Sequence, residues 1–201
     1  MGFEKSYNKF KEFSYKWRAK YFQPILKLLA KLKITPNQIT TFRLIFILPL
    51  AYCFYTCNFW GIFFSYLIFW IVDLFDGSLA RYLNITNDKG GFLDSLTDHF
   101  MYSVLILGFI YLQVADAVLL AYNIVIQLLV SILANVKKWQ KGESDWLIKI
   151  KSNAPYFKNW THFFLLLYLF GFNYLNPIFF ILNIWMTITS LYYFSAIKKR
   201  N

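Results

Sequence analysis

Asp73, Asp76, Asp94 and Asp98 recur at helical spacing within otherwise apolar sequence, and they are the residues of this chain best suited to chemistry. At 100° per residue, Asp73, Asp76, Gly77 and Ala80 share one face of a first helix, and Gly90, Asp94 and Asp98 share one face of a second. Two acidic stripes can therefore face a common space. An ionised carboxylate at the centre of a bilayer costs roughly 2.5–3.5 kcal/mol on insertion scales, so four of them require a compensating positive charge. Mg²⁺ or Mn²⁺ fits that need, because hard divalent ions take oxygen ligands and keep room for waters and substrate phosphates. Asp88 lies in the polar turn between the two helices and reads as solvated.

The elements that must position these acids read as membrane helices. Of 201 residues, 58% are hydrophobic, 22% are aromatic and only 15% are charged, with a mean hydropathy of +0.43. Apolar windows recur at 38–57, 59–84, 91–112, 115–136, 156–172 and 177–197, each near the roughly 20 residues that cross a hydrocarbon core. A chain this short has too little polar helix to wrap six all-round apolar ones, which excludes a large soluble helical core. The expected fold is all-α and polytopic, with six transmembrane helices in residues 37–201 and a cytoplasmic, interfacial amphipathic segment in residues 1–36.

The basic residues orient this arrangement. Nine Lys and Arg precede Pro36, Arg43 lies just inside the first window, and Arg81 and Lys89 flank the second connection. Further groups follow the fourth window and close the chain, while the connections near Asn58, Gln113 and Asn173 carry none. The positive-inside bias then places both termini and the open side of the acidic stripes in the cytoplasm. The net charge of +11 is explained by this bias and by attraction to anionic membrane lipids, with no need for a nucleic-acid partner.

Residues 18–33 mix basic residues with Ile25, Leu26, Leu28, Leu29 and Leu32 at helical spacing, the pattern of a helix lying in the membrane interface, with Pro24 near its start or a bend. Thr35 or Asn37 is placed to cap the first span. Residues 1–36 are too charged for a cleavable signal. Cys53 and Cys57, one turn apart, read as independent packing residues, since a regular helix does not converge their side chains for a disulfide. The Asn84 and Asn159 triplets match a glycosylation pattern but fall on the expected cytoplasmic side. His99 and His162 read as hydrogen-bonded interhelical residues.

Asp73-x-x-Asp76-Gly77-x-x-Ala80-Arg81, eight intervening residues, then Gly90-x-x-x-Asp94-x-x-x-Asp98 resembles the complete signature of the CDP-alcohol phosphatidyltransferases. The resemblance extends to chain size, span number and the amphipathic segment that leads into Ile34-Thr35-Pro36-Asn37-Gln38-Ile39-Thr40. It implies transfer of a substituted phosphoryl group from a CDP-lipid such as CDP-diacylglycerol to a polar alcohol, with release of CMP. By the same resemblance Asp73, Asp76, Asp94 and Asp98 ligate Mg²⁺ or Mn²⁺, and Asp98 alternatively serves as general base on the acceptor hydroxyl. Asn37, Gln38, Ile39, Thr40, Gly77, Ala80, Arg81, Asn87 and Gly90 would line the CDP-lipid site. For Gly77 and Ala80, close helix–helix packing through small residues is the competing explanation. For Arg81 it is a snorkelling topology charge.

The acceptor is read from Lys149 and Lys151, which resemble the Lys-x-Lys segment of phosphatidylglycerophosphate synthases and suggest glycerol 3-phosphate. Ile126-Gln127-Leu128-Leu129 departs from the Arg-Glu those synthases usually carry in the fourth span. The basic amphipathic lead-in is instead similar to members that use inositol phosphate. Members of the family are homodimers, which extends to this chain as an expectation. A metal or ion transporter with an intramembrane Asp site is the reading of a different class, and the absence of an internal repeat in the sequence speaks against it.

Overall fold

A computed structural model describes residues 13–85, 88–139 and 163–198. Those residues form helices and their connecting turns, with no strand among them. After helical residues 13–21 come α1 (Gln23–Lys31), α2 (Pro36–Arg43), a 3₁₀ turn (Leu44–Phe46), α3 (Ile47–Tyr55), α4 (Phe59–Tyr82), α5 (Asp88–Tyr111), α6 (Ala117–Trp139) and α7 (Leu175–Lys198). Among the described residues, four stretches are long and apolar enough to cross a membrane: Pro36–Tyr55, Phe59–Tyr82, Gly90–Tyr111 and Leu175–Ile197. They coincide with four of the windows read from the sequence. The 115–136 window falls almost wholly within α6, whose described side chains give an apolar stretch at Ala117–Leu133, and most of the 156–172 window lies outside the described residues. Outward-facing side chains along these helices are apolar, among them Leu48, Tyr52, Trp60, Val125, Ile181 and Leu191. Surface of that kind belongs in lipid rather than water.

The chain forms two compact units. The first comprises residues up to Leu48 together with Phe64–Thr97, and the second Pro49–Phe63 with the residues from Asp98 onward. α4 and α5 each contribute one portion to either unit.

In the first unit, Pro24 sits in the first turn of α1, where its missing N–H costs nothing. Leu26 is buried against Ile39 and Leu79, with Phe22, Leu29, Ile34, Val72 and Phe75 packed around them. Ile25, Leu28 and Leu32 are exposed beside the exposed Lys27 and Lys31, so α1 keeps the apolar and basic surface of an interfacial helix after docking one face on α2 and α4. α1 stops at Lys33, whose left-handed φ of 56° turns the chain, and Ile34 N–H closes the end onto the Leu29 carbonyl. Thr35 then caps α2. Its hydroxyl accepts from Gln38 N–H at 3.3 Å and its own N–H donates to Gln38 Oε1 at 2.8 Å, with Pro36 in the first turn. This reciprocal pair settles the choice between Thr35 and Asn37 as cap. The 3₁₀ turn that follows matches Pro49, which withholds the N–H that Ile45 would otherwise receive.

In the second unit, Phe54 of α3 packs edge-on against Phe109 of α5, centroids 5.5 Å apart. Gly108 permits that approach, because a Cβ there would collide with the Phe54 ring. α6 and α7 pack along one another around Ile126, Val130, Met186 and Tyr193. Beside this apolar seam lies a buried polar chain. Tyr102 Oη donates to Asn123 Oδ1, which also accepts from Gln127, and Asn123 Nδ2 donates to Asn183 Oδ1. Asn183 in turn donates to the Leu119 carbonyl at 2.9 Å. Pairing of this kind is how polar side chains persist within a lipid-embedded helix bundle. Cys53 and Cys57 are both free thiols; Cys53 lies on α3, whereas Cys57 falls in the turn after it, with a left-handed φ of 51°.

Candidate metal centre and adjoining cavity

Within the first unit, α4 and α5 bring three of the four signature carboxylates together. One oxygen from each of Asp73, Asp76 and Asp94 lies within 4.8 Å of the others. The spacing read from the sequence accounts for this. Asp73 and Asp76 are three residues apart on α4 and so share its face, and Asp94 lies one turn after Gly90 on α5. Asp76 is the deepest, with 6% of its side chain exposed, against 37% for Asp73 and 42% for Asp94. The carboxylate cluster therefore has a buried floor and two solvent-accessible walls.

α2 supplies the rest. Thr40 Oγ1 lies 2.9 Å from Asp76 Oδ2 and 3.1 Å from the Pro36 carbonyl. Arg43, one turn further along the same face, is fully buried. Its Nη1 stands 2.6 Å from Asp73 Oδ1, 2.9 Å from Asp76 Oδ2 and 2.7 Å from Asp94 Oδ1. The guanidinium carbon lies 4.4 Å from the centroid of the Phe69 ring, which is itself buried one turn before Asp73 on α4. In sequence Arg43 was visible only as a charge inside the first span. The signal was nonetheless there: an Arg at such a position needs an acidic partner, and Thr40 three residues earlier marks the same polar face.

The donor set fits a small divalent ion. All three ligands are hard carboxylate oxygens, and a single positively charged atom already lies within contact distance of all of them. Closing from 2.6–2.9 Å to the roughly 2.0–2.1 Å of a Mg²⁺–oxygen bond requires shifts of well under about 1 Å.

Beside the carboxylates opens a cavity of about 200 Å³ lined by Pro36, Thr40, Asp76, Gly77, Ala80, Arg81, Ile85, Gly90, Gly91 and Asp94. Seven residues expected at the site from sequence thus share one cavity: Thr40, Asp76, Gly77, Ala80, Arg81, Gly90 and Asp94. A Cβ on Gly77 would meet only the tip of Arg81, at 3.4 Å, so no neighbouring helix demands a glycine there. Gly91, not singled out in the sequence, contributes further open space, with nothing within 4 Å of the point a Cβ would occupy. Arg81 is half-buried, with Nη2 3.3 Å from Ser78 Oγ and its guanidinium 4.2 Å from the Tyr15 ring. Its other side borders a second cavity of about 300 Å³ together with Lys16 and Tyr82.

The remaining expected residues fall elsewhere. Asn37 and Gln38 are exposed in the first turn of α2, where Gln38 completes the cap. Ile39 is buried in the apolar cluster with Leu26 and Leu79. Asp98 lies one turn beyond Asp94 on α5, half-buried and in the second unit. The converging trio does not include it. Asn87, Lys149 and Lys151 lie outside the described residues.

Comparison with known proteins adds an independent line. A protein of Aquifex aeolicus (strain VF5), described only as an uncharacterized protein, is 35% identical over 78 residues, covering 39% of this chain and 40% of its own length. The aligned region thus spans well under half of that curated relative. Residues 33–192 match the model of the CDP-alcohol phosphatidyltransferases, a stretch that takes in α2 through most of α7 and every carboxylate described above. The chain belongs to the CDP-alcohol phosphatidyltransferase family.

Proposed function

We propose that this protein is an integral membrane enzyme of phospholipid synthesis that transfers a phosphatidyl group from a CDP-lipid such as CDP-diacylglycerol to a polar alcohol and releases CMP. The observation that carries this reading is the convergence of Asp73, Asp76 and Asp94, two of which, Asp76 and Asp94, line a cavity shared with Gly77 and Arg81.

Asp73, Asp76 and Asp94 would hold Mg²⁺ or Mn²⁺, which supplies neutralisation of the donor diphosphate and of the departing phosphate. Gly77, Ala80 and Gly90 leave space for the nucleotide against α4 and α5, while Arg81 pairs with a phosphate oxygen from the cavity rim. Thr40 steadies the Asp76 carboxylate, and Asn37, Gln38 and Ile39, at the start of α2, belong with Asn87 to the same donor site. The acceptor oxygen attacks the lipid-linked phosphorus, the bond from that phosphorus to the CMP oxygen breaks, and Asp98 accepts the hydroxyl proton. Asp98 stands one turn from Asp94 on the same helix, a placement compatible with either ligation or base duty.

Glycerol 3-phosphate is the proposed acceptor, with Lys149 and Lys151 binding its phosphate. Inositol phosphate is the second reading, favoured by the basic interfacial surface of α1. We assign six spans to residues 37–201, place both termini and the cavity mouth on the cytoplasmic side, and take the working form to be a homodimer. Purified protein supplied with CDP-diacylglycerol, Mn²⁺ and separate acceptors tests this assignment by CMP release. Release with glycerol 3-phosphate alone supports the first acceptor and release with inositol phosphate alone the second. No release with any acceptor, combined with ion flux in proteoliposomes, would replace the enzyme with a transporter.

A further inference from the structure

We propose that Arg43 is a built-in cation of the carboxylate centre, holding Asp73, Asp76 and Asp94 together until a divalent ion takes the place of its Nη1. The proposal rests on the metal-centre reading above.

Three observations carry it. First, three carboxylates meet one nitrogen, at 2.6, 2.9 and 2.7 Å. A guanidinium presents its donors as a planar fork, and a single Nη carries only two hydrogens, so three acceptors around one nitrogen follow the radial pattern of a bound ion rather than the fork. Second, that nitrogen already stands within 2.9 Å of one oxygen of each carboxylate, so an ion taking the same three oxygens competes with it for them. Third, Arg43 has a resting place when it yields: its guanidinium already lies 4.4 Å over the Phe69 ring, a favourable seat for a desolvated cation. The charges agree as well. Three carboxylates and one guanidinium leave two negative charges, which one divalent ion neutralises while Arg43 remains nearby.

Arg43 is therefore a positioning residue. It pre-assembles the ligands, and it sets the metal affinity lower than three clustered carboxylates would give unaided. Mn²⁺ binding followed by electron paramagnetic resonance, alongside thermal unfolding in detergent, tests this on the full chain. Arg43→Gln is expected to bind Mn²⁺ more tightly than the wild type, by about tenfold or more given the loss of a unit charge at contact distance. Its metal-free form should unfold at lower temperature, and added Mn²⁺ should raise its midpoint by more than it raises the wild type's. Arg43→Lys keeps the charge on a side chain one bond shorter and should bind with intermediate affinity. A purely structural role for Arg43 predicts weaker Mn²⁺ binding in both variants, and that result, or unchanged affinity, overturns the proposal. So does failure of both variants to fold even with Mn²⁺ present, since the ion should replace the guanidinium. Asp94→Asn separates the two levels. If the wild type binds Mn²⁺ and Asp94→Asn does not, the centre stands and only the Arg43 result is at issue. If neither binds, and Arg43→Gln also fails to bind, the metal-centre reading itself falls.

Discussion

Thr40 and Asp76, 36 positions apart in sequence, meet through a hydroxyl–carboxylate contact of 2.9 Å that ties the first span to the deepest ligand of the carboxylate centre. Asp76 is nearly sealed from solvent, so the lost donor would not be replaced by water. Thr40→Val keeps the side-chain shape and removes that donor. It is expected to cost about 1–3 kcal/mol of stability, the usual worth of one hydrogen bond to a charged group, since Asp76 Oδ2 keeps its Arg43 partner. Thr40→Ser should recover most of the loss. Thermal unfolding of the three proteins in the same detergent checks this, and an unaltered midpoint for Thr40→Val would mean the contact carries no weight.

Gly77 offers a way to separate donor binding from packing. Only the mobile tip of Arg81 lies near a Cβ at this position, so Gly77→Leu projects into the cavity without striking another helix. Replacing Gly by Leu also improves intrinsic helix propensity. The expected outcome is an unfolding midpoint at or above that of the wild type with a KM for CDP-diacylglycerol raised by about tenfold or more, as a filled pocket displaces binding energy. Steady-state CMP release across donor concentrations measures it. A destabilised protein with unchanged KM would assign Gly77 to helix packing instead.

Asp98 tests the chemical step. Asp98→Asn removes the base while nearly preserving shape, so turnover should fall by about 10²–10⁴-fold while CDP-lipid binding, read by equilibrium titration, stays within a few-fold. Turnover equal to the wild type would remove Asp98 from catalysis.

The carboxylate centre was largely legible in the sequence because helical periodicity is local. Once Asp73–Ala80 and Gly90–Asp98 were read as helices, their acidic faces followed from residue spacing alone. Arg43 was not read because its meaning depends on which helices pack together, information that no window of sequence contains. Ile39 likewise depends on packing. Its place beside Asn37 and Thr40 suggested a donor-site residue, whereas its side chain completes an apolar cluster with Leu26 and Leu79. Four apolar windows formed helices long and apolar enough to span a membrane, because length and composition suffice to identify such helices. Thr35 rather than Asn37 became the cap since only Thr35 stands three residues before Gln38, the spacing a reciprocal cap needs.

The central claim is that Asp73, Asp76 and Asp94 form the centre at which a CDP-lipid is cleaved. The most direct measurement is CMP release from CDP-diacylglycerol with Mn²⁺ and acceptor, comparing the wild type with Asp76→Asn at matched folded concentration. Wild-type protein should release CMP, lose that activity in a chelator and regain it on adding Mn²⁺. Asp76→Asn, deprived of the buried ligand, should fall by about 10³-fold or more, the scale on which loss of a transition-state electrostatic contact acts. CMP release by Asp76→Asn at the wild-type rate, or wild-type release indifferent to the chelator, would contradict the account.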